Sequence, residues 1–172
     1  VPNGTFAQPG MGGMRPLTAL TCAELREAAE ADGLVYAGDT LATATCGSDC
    51  CRVALVVAER RVDTTTTPPR INLPDFHWYR EDQDGTWSHK PGGDPAVRFD
   101  SADASILDPA HASRDNNLGL RTVPLGDAGA TITVEVHLDY NLFCGYYCVC
   151  RGAVTLAGSR DAGVIPDMWY GE

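Results

Sequence analysis

The chain has 172 residues, the length of one domain, and its 44% hydrophobic and 21% charged residues exclude a wholly disordered protein. Thirteen lysines and arginines stand against 23 aspartates and glutamates, and the net charge of −10 argues against nucleic acid or an anionic membrane surface as a partner. No apolar run approaches the roughly 20 residues of a membrane-spanning helix.

Seven cysteines indicate an exported protein, because thiols stay reduced in the cytosol and disulfides persist outside it. We therefore predict a secreted, extracellular protein whose leader was removed before Val1. Lys90 is the one lysine beside twelve arginines, a bias that is typical of GC-rich bacterial genomes. The composition therefore predicts a bacterial source.

The first segment, residues 1–16, is rich in glycine and proline and predicts an irregular N-terminal arm on the surface of the domain. A helix is predicted next, over about residues 22–32. Thr21 and Glu24 have the spacing of a capping box, apolar residues follow at helical intervals, and Gly33 supplies the stop.

The remaining elements are predicted to be strands. Val53–Val57 is a short apolar run typical of a buried strand, and Asp75–Lys90 predicts a hairpin that turns at an Asp-Gly pair. Residues 91–117 are predicted to be loops. Thr131–Tyr140 alternates apolar and polar residues and predicts a half-buried strand, with Cys144–Leu156 as its antiparallel partner.

These elements predict an α+β, β-dominated fold with one antiparallel sheet, a single main helix and long loops stapled by disulfides. We expect a single domain over residues 1–172, with a C-terminal tail at 159–172.

The cysteines are expected to form structural disulfides, and their odd number leaves one for a link to another chain or to a residue outside this sequence. Two pairs are separated by three residues, whereas zinc knuckles and redox sites usually have two. Cys50 and Cys51 are adjacent, so each should bond elsewhere. The preferred pair is Cys22–Cys46, which would tie the start of the helix to the loop before the first strand. The predicted disulfide cysteines are Cys22, Cys46, Cys50, Cys51, Cys144, Cys148 and Cys150.

The hairpin carries two histidines whose relative position depends on the length of its loop. A three-residue loop would place Tyr79 opposite His89, with His77 diagonal to His89 on the same face at about 7–8 Å. A loop one residue different would put the two histidines on opposite faces. On one face, His77 and His89 are candidate metal ligands.

Two further readings of the hairpin remain open. Asp82 and Asp84 have a calcium-like spacing but supply fewer oxygen ligands than a full calcium loop needs. Alternatively, Trp78, Tyr79 and Trp87 pack as cross-strand aromatic pairs while the histidines bond to loop carbonyls. Trp78, Tyr79, Trp87 and His89 are the candidate binding residues, and no cofactor is expected.

Two histidines and a late aromatic cluster lie outside the hairpin. His111 falls in a polar loop and His137 on the polar side of an alternating strand, so both are predicted to be surface residues. The aromatic cluster could be a carbohydrate-stacking platform or part of the core, and the core is favoured. Its members are Tyr140, Phe143, Tyr146 and Tyr147.

The hairpin resembles one shared by a group of uncharacterised secreted bacterial proteins. The resemblance rests on DFHWYR at 75–80 and DGTWSHKPGG at 84–93. It extends over most of residues 3–150 through NGTFAQPG at 3–10, TALTC at 18–22, ADGLV at 31–35 and VALVV at 53–57. Asp108-Pro109 and Cys144–Cys148 match more loosely. The resemblance implies export and a family, without an established activity.

Members of that group carry an Asn-Cys-aromatic segment just before the stretch that matches residues 5–10. A cysteine followed by a strand histidine is similar to the papain-like arrangement of cell-wall amidases, in which a thiolate pairs with an imidazole. That resemblance implies His77 as general base, with a nucleophile upstream of Val1. Cys22, at a helix N-terminus, is the candidate nucleophile within this sequence.

Two functions are therefore carried forward. The first is a secreted, disulfide-stabilised domain with a non-catalytic binding or structural role, which contacts protein or glycan outside the cell and assembles through an unpaired cysteine. The second is a papain-like cysteine hydrolase, or an inactive relic of one, with His77 as its base. The lack of an intact nucleophile–base pair favours the first.

Overall fold

The computed structural model describes residues 8–125 and 130–155. These residues fall into two compact units. The first contains the residues up to Ala54 and those from Cys144 onward, and the second contains Leu55–Phe143. The prediction of a single domain stays a prediction.

The first unit contains the helix and three strands or parts of strands. The helix, α1, covers Cys22–Ala31, and strand β1 covers Val35–Gly38. Strand β2, Cys50–Ala58, begins in this unit, and strand β9, Leu142–Cys150, ends in it. The order here is β1-β9-β2, and β1 runs antiparallel to β9 with Val35 opposite Cys148.

Helix α1 begins where the sequence predicts, with half of the expected capping box. The Thr21 hydroxyl accepts a hydrogen bond from the Glu24 amide at 3.2 Å. The Glu24 carboxylate accepts instead from the amide and hydroxyl of Thr18, at 3.2 and 2.8 Å. Leu25, together with two alanines, faces the core, and Gly33 ends the helix with a φ of 97°.

The described part of the N-terminal arm, residues 8–16, is irregular as predicted, but it does not lie wholly on the surface. Pro9 and Gly10 are buried. The carboxylate of Asp32, the residue that follows α1, accepts hydrogen bonds from the Gly10 and Gly13 amides, each at 2.7 Å. This contact holds the arm against the end of the helix.

Three disulfides, all in the first unit, confirm a structural role for six of the seven cysteines, whereas the inclusion of Cys51 among the disulfide cysteines is wrong. The predicted Cys22–Cys46 pair is wrong, because each of the three cysteines of β9 takes one cysteine from earlier in the chain. The sheet brings β9 beside β1 and β2, a proximity that sequence distance does not reveal. The bonds are Cys22–Cys144, Cys46–Cys148 and Cys50–Cys150, and Cys51 is free and exposed.

The second unit contains the end of β2, the start of β9 and six further strands. Its described strands are β3, Arg61–Asp63; β4, Arg70–Asn72; β5, Asp75–Glu81; β6, Trp87–His89; β7, Asp115–Leu125; and β8, Ala130–Asp139. In one sheet the order is β2-β5-β6, and in the other it is β3-β4-β8-β7. The β-dominated class with one helix is confirmed, with the strands divided between two sheets.

The predicted partner of β8 is wrong. Strand β8 pairs antiparallel with β7, from Asp115 opposite Asp139 to Leu125 opposite Ala130, and parallel with β4. Strand β7 begins within the predicted loop 91–117. Its first three residues are polar, and a bulge at Asn117/Gly119 interrupts the alternation that would reveal a strand.

The C-terminal tail predicted at 159–172 lies outside the described residues. Within the residues that are described, no helix has the length and apolar character needed to cross a membrane.

Candidate functional site

Strands β5 and β6 form the predicted hairpin, and its register puts both histidines on one face. Tyr79 lies opposite His89, and the Asp82 amide donates to the Thr86 carbonyl at 2.8 Å, which leaves three residues in the loop. Gly85 adopts a φ of 79°, the conformation that this turn requires and that glycine permits. Of the loop lengths that the sequence left open, the structure therefore has the three-residue one.

The two histidines form a hydrogen-bonded chain that ends on a backbone carbonyl. His77 Nε2 lies 2.9 Å from His89 Nδ1, and His89 Nε2 lies 3.1 Å from the Phe99 oxygen. A carbonyl only accepts, so His89 Nε2 carries the hydrogen and, in the neutral ring, Nδ1 is an acceptor. His77 Nε2 must then be the donor. Hence neutral His77 has no hydrogen on Nδ1.

Aromatic rings enclose this pair. Tyr79 packs on both histidines, with ring centroids 5.5 Å from His77 and 5.0 Å from His89. Tyr140, at the end of β8, lies 5.4 Å from His77, and its hydroxyl donates to Asp75 Oδ2 at 2.8 Å. No sequence signal points to Tyr140 or Asp75 as part of the site, because no local pattern connects positions 65 residues apart.

Burial disfavours the charged forms of His77, Tyr79 and Asp75. Burial, together with the nearby His89, lowers the pKa of His77 from 6.5 to about 4. Burial raises the pKa of Tyr79 to about 12 and also raises the pKa of Asp75, although Asp75 accepts hydrogen bonds from Tyr140 and Phe76. His77 is therefore a neutral imidazole at physiological pH.

The geometry of the pair is that of a hydrogen bond rather than of a metal chelate. The ring centroids of His77 and His89 are 5.0 Å apart, near the greatest separation that a 2.9 Å contact between ring nitrogens allows. The nitrogens therefore point at each other, whereas chelating nitrogens would both point at the ion. Among the described residues, no group of three or more histidines, cysteines or carboxylates is placed to hold a metal ion.

The turn carboxylates are engaged by basic and hydroxyl side chains. Asp82 pairs with Arg80 at 2.7 Å and with Arg98 at 3.1 Å, and its hydrogen bond with Arg80 is the largest cause of its lowered pKa. Hydrogen bonds from Thr86 lower the pKa of Asp84 to about 2. Both carboxylates thus stabilise the turn, and a calcium role for them stays a prediction.

The hairpin aromatics are mostly enclosed. Trp87 is fully buried and Tyr79 is 3% exposed, while Trp78 is half-buried. Because strand residues alternate, Trp78 projects from the face opposite Tyr79 and Trp87. The register therefore excludes Trp78 from a cross-strand aromatic pair with Trp87 on that face. The predicted bond from a histidine to a loop carbonyl is present at His89.

The candidate nucleophile Cys22 is bonded to Cys144, so its sulfur is not a thiol. All seven cysteines lie in the first unit, whereas all four histidines lie in the second. The general-base role of His77 stays a prediction.

The remaining histidines differ in their surroundings. His111 is exposed, as predicted, and contacts Asp108 at 3.1 Å. The prediction of a surface position for His137 is wrong, because His137 is only 5% exposed. Its Nδ1 lies 2.6 Å from Asp115 of β7, and its Nε2 lies 3.5 Å from Glu135 Oε2. Strand β7, which the sequence analysis missed, supplies this covering carboxylate.

The late aromatic cluster is largely core, as favoured from the sequence. Tyr146 and Tyr147 are fully buried in the first unit, and Tyr140 is 6% exposed in the second. Phe143 is half-buried.

Comparison with known proteins finds similarity to a mollusc protein. The chain is 34% identical over 110 residues to insoluble matrix shell protein 1 of the mollusc Ruditapes philippinarum. The match covers 64% of this chain and 62% of the relative, so the chain spans less than two thirds of the relative's length. No protein-family model matches the chain. No solved structure matches it. The disulfides fit an extracellular protein, while the bacterial source and the bacterial family stay predictions.

Proposed function

We propose that this chain is a non-catalytic structural domain that assembles with copies of itself outside the cell. The observation that carries the proposal is the set of three disulfides, which fix the helix, a loop and β2 to β9 within the first unit. Disulfides persist in oxidising compartments outside the cytosol and keep a domain folded there.

The similarity to a protein named for an insoluble shell matrix supports the same role. The net charge of −10 fits a soluble precursor that associates only through specific contacts. Chains of like charge repel one another, and this repulsion opposes nonspecific association. A protein or glycan partner at the hairpin would contact the half-buried Trp78 and His89, because Tyr79 and Trp87 are buried.

The test is the size of the oxidised, full-length chain in solution. Sedimentation velocity over a roughly hundredfold range of concentration should show species larger than the monomer that increase with concentration. A chain that stays monomeric throughout the range contradicts the proposal.

The exposed thiol of Cys51 is the candidate for a disulfide between two chains, and the variant Cys51→Ser tests this role. Cys51→Ser is measured beside the parent chain, with and without a mild reductant. Loss of the larger species in the variant assigns the link to Cys51, while their persistence shows that association is non-covalent. Peptide mapping without reduction should recover the three bridges in both proteins.

A further inference from the structure

We infer that strand β7 is the surface through which one chain pairs with a second copy, edge to edge and antiparallel, with Thr122 on the two-fold axis. The inference rests on the proposed function, because it names the contact through which copies of the chain would assemble. Strand β7 is the last strand of the four-stranded sheet in the second unit, so no described strand covers its outer side. An uncovered strand edge is a template for pairing with another chain.

The hydrogen bonds of β8 show which backbone groups of β7 face outward. The Glu135 amide donates to the carbonyl of Pro69, just before β4, at 2.8 Å. The His137 carbonyl accepts from the amide of Leu73, just after β4, at 2.9 Å. Because the backbone groups of successive strand residues point to opposite sides, the even-numbered residues of β8 direct theirs toward β7.

The odd-numbered residues of β7 are the partners of these even-numbered residues. Arg121 lies opposite Val134, and Val123 lies opposite Ile132. The residues that alternate with them direct their backbone groups to the open edge: Leu120, Thr122 and Pro124. An outward position also explains why a proline is tolerated in this strand, since the pairing with β8 does not need its missing amide hydrogen.

Part of this open edge already has its hydrogen bonds accounted for. Pro124 offers only its carbonyl, and the Leu120 carbonyl accepts from the Arg121 guanidinium at 3.1 Å. The edge therefore offers the Leu120 and Thr122 amides as donors and the Thr122 and Pro124 carbonyls as acceptors. The described part of the chain supplies no hydrogen-bond partner for these groups.

A two-fold pairing centred on Thr122 satisfies all of these groups. Thr122 of each copy exchanges its amide and carbonyl with Thr122 of the other, as a hydrogen-bonded antiparallel pair does. Leu120 then lies opposite Pro124 of the second copy, and the Leu120 amide donates to that Pro124 carbonyl. The hydrogen bond that proline cannot donate would have gone to the Leu120 carbonyl, which Arg121 already satisfies.

The neighbouring registers fit less well. A pairing centred on Arg121 would place two guanidinium side chains directly opposite each other, and like charges in that position are destabilising. A pairing centred on Leu120 would place Thr122 opposite Leu118, at the bulge where the regular strand is interrupted. The backbone and the charges together therefore select Thr122 as the centre.

The side chains agree with this register. Arg121 lies opposite Val123 of the second copy, and the Leu120 side chain, 59% exposed in the single chain, lies beside the Pro124 ring. The bulge at Asn117/Gly119 ends the regular edge on one side. A contact confined to one short strand belongs to the weak class of interfaces, so pairing should depend on concentration.

The register can be tested by disulfide trapping in full-length chains that also carry Cys51→Ser. The two Thr122 Cα atoms would be about 5.5 Å apart, within the span of a disulfide, so Thr122→Cys should give a covalent dimer on mild oxidation. The two copies of Leu120 would be roughly 13 Å apart along the strands, so Leu120→Cys should stay monomeric. Both positions are exposed, which makes the second variant a matched control for random collision.

Nonreducing gels measure the dimer, and peptide mapping identifies the bond between the two introduced cysteines and checks the three native bridges. Equal cross-linking of the two variants, or no cross-linking of either, overturns the inference.

Non-covalent pairing is tested by sedimentation velocity, again with Cys51→Ser. Thr122→Pro removes the outward amide without removing a bond to β8, and should raise the dissociation constant of the dimer by at least roughly tenfold. Thr122→Val keeps the amide and should change it by less than about threefold. If Thr122→Pro fails to fold, Leu120→Lys places a charge at the exposed edge and should weaken the dimer as much.

The outcomes separate this inference from the proposed function. Association that persists in the edge variants, or that is lost with Cys51→Ser alone, overturns pairing through β7 and leaves self-assembly intact. A parent chain that never associates contradicts the proposed function itself.

Discussion

His137 Nδ1, on β8, donates a hydrogen bond to Asp115 Oδ1, on β7, across 2.6 Å. The same carboxylate accepts from Arg70 of β4 at 2.7 Å, so one aspartate joins three neighbouring strands of the four-stranded sheet. His137 is nearly enclosed, and a polar atom left there without its partner would be costly.

Asp115→Ala should therefore destabilise the protein by about 1–3 kcal/mol, because the buried imidazole loses its acceptor. Urea unfolding at neutral pH with the disulfides intact measures this change. Asp94→Ala, at an exposed carboxylate, is the matched control and should change the free energy of unfolding by less than about 0.5 kcal/mol. Equal effects of the two substitutions would show that the His137 contact contributes nothing.

Replacing Cys22 and Cys144 together by serine should destabilise the chain less than their separation of 122 residues suggests. With the Cys46–Cys148 bond intact, the cross-linked path between the two positions is only about 28 residues, which the chain-entropy model converts to about 3.5 kcal/mol rather than about 5. Thermal and denaturant unfolding of the oxidised proteins measure the difference, with Cys51→Ser as the control that should have little effect. A loss near 5 kcal/mol would mean that the bridges act independently.

Asp32→Ala should release the described part of the N-terminal arm. The buried carboxylate is the acceptor for the amides of Gly10 and Gly13, and its loss leaves both donors without that partner. We expect faster hydrogen exchange at the Gly10 and Gly13 amides, which lose their acceptor, and a stability loss of about 1–3 kcal/mol. Glu30→Ala, at an exposed position on the same helix, should leave the exchange rate of these amides unchanged. An unchanged rate in Asp32→Ala would rule out the clamp.

The lowered pKa of His77 predicts a specific loss of stability in mild acid. The folded state keeps His77 neutral down to about pH 4, while the unfolded chain binds a proton below its ordinary pKa of 6.5. The contribution is thus fully present above pH 6.5 and is lost as the pH falls toward 4, by up to roughly 2–3 kcal/mol. Urea unfolding at several pH values should show a shallower dependence in His77→Gln than in the parent chain. Parallel curves over this window would contradict the burial of a neutral His77.

The elements that the sequence predicts correctly are those whose signals are local. Thr21 and Gly33 delimit α1 within one residue, because capping and positive φ depend on neighbouring residues. The hairpin and its Asp-Gly turn were predicted, but its loop length was left open, and the structure decided the register that puts His77 and His89 on one face. The ring nitrogens of His77 and His89 are only 2.9 Å apart because the two side chains point toward each other. Diagonal positions on one face of a hairpin are themselves about 7–8 Å apart.

The features that sequence analysis missed depend on contacts between distant parts of the chain. Strand β7 has a polar start and a bulge, so its periodicity is weak, and without it His137 appears to face solvent. The pairing of Cys22 with Cys144 required the position of β9 beside β1, which no spacing of cysteines encodes.

Local pattern by itself determined the β-dominated class, the helix and the turn of the hairpin, since each depends on residues that are neighbours in the chain. The cysteine count predicted the disulfides. Only the tertiary structure decided which cysteines bond, which histidine is buried and which ring nitrogen carries a hydrogen. These depend on partners as far as 122 residues away, where folding sets the distances and sequence spacing does not.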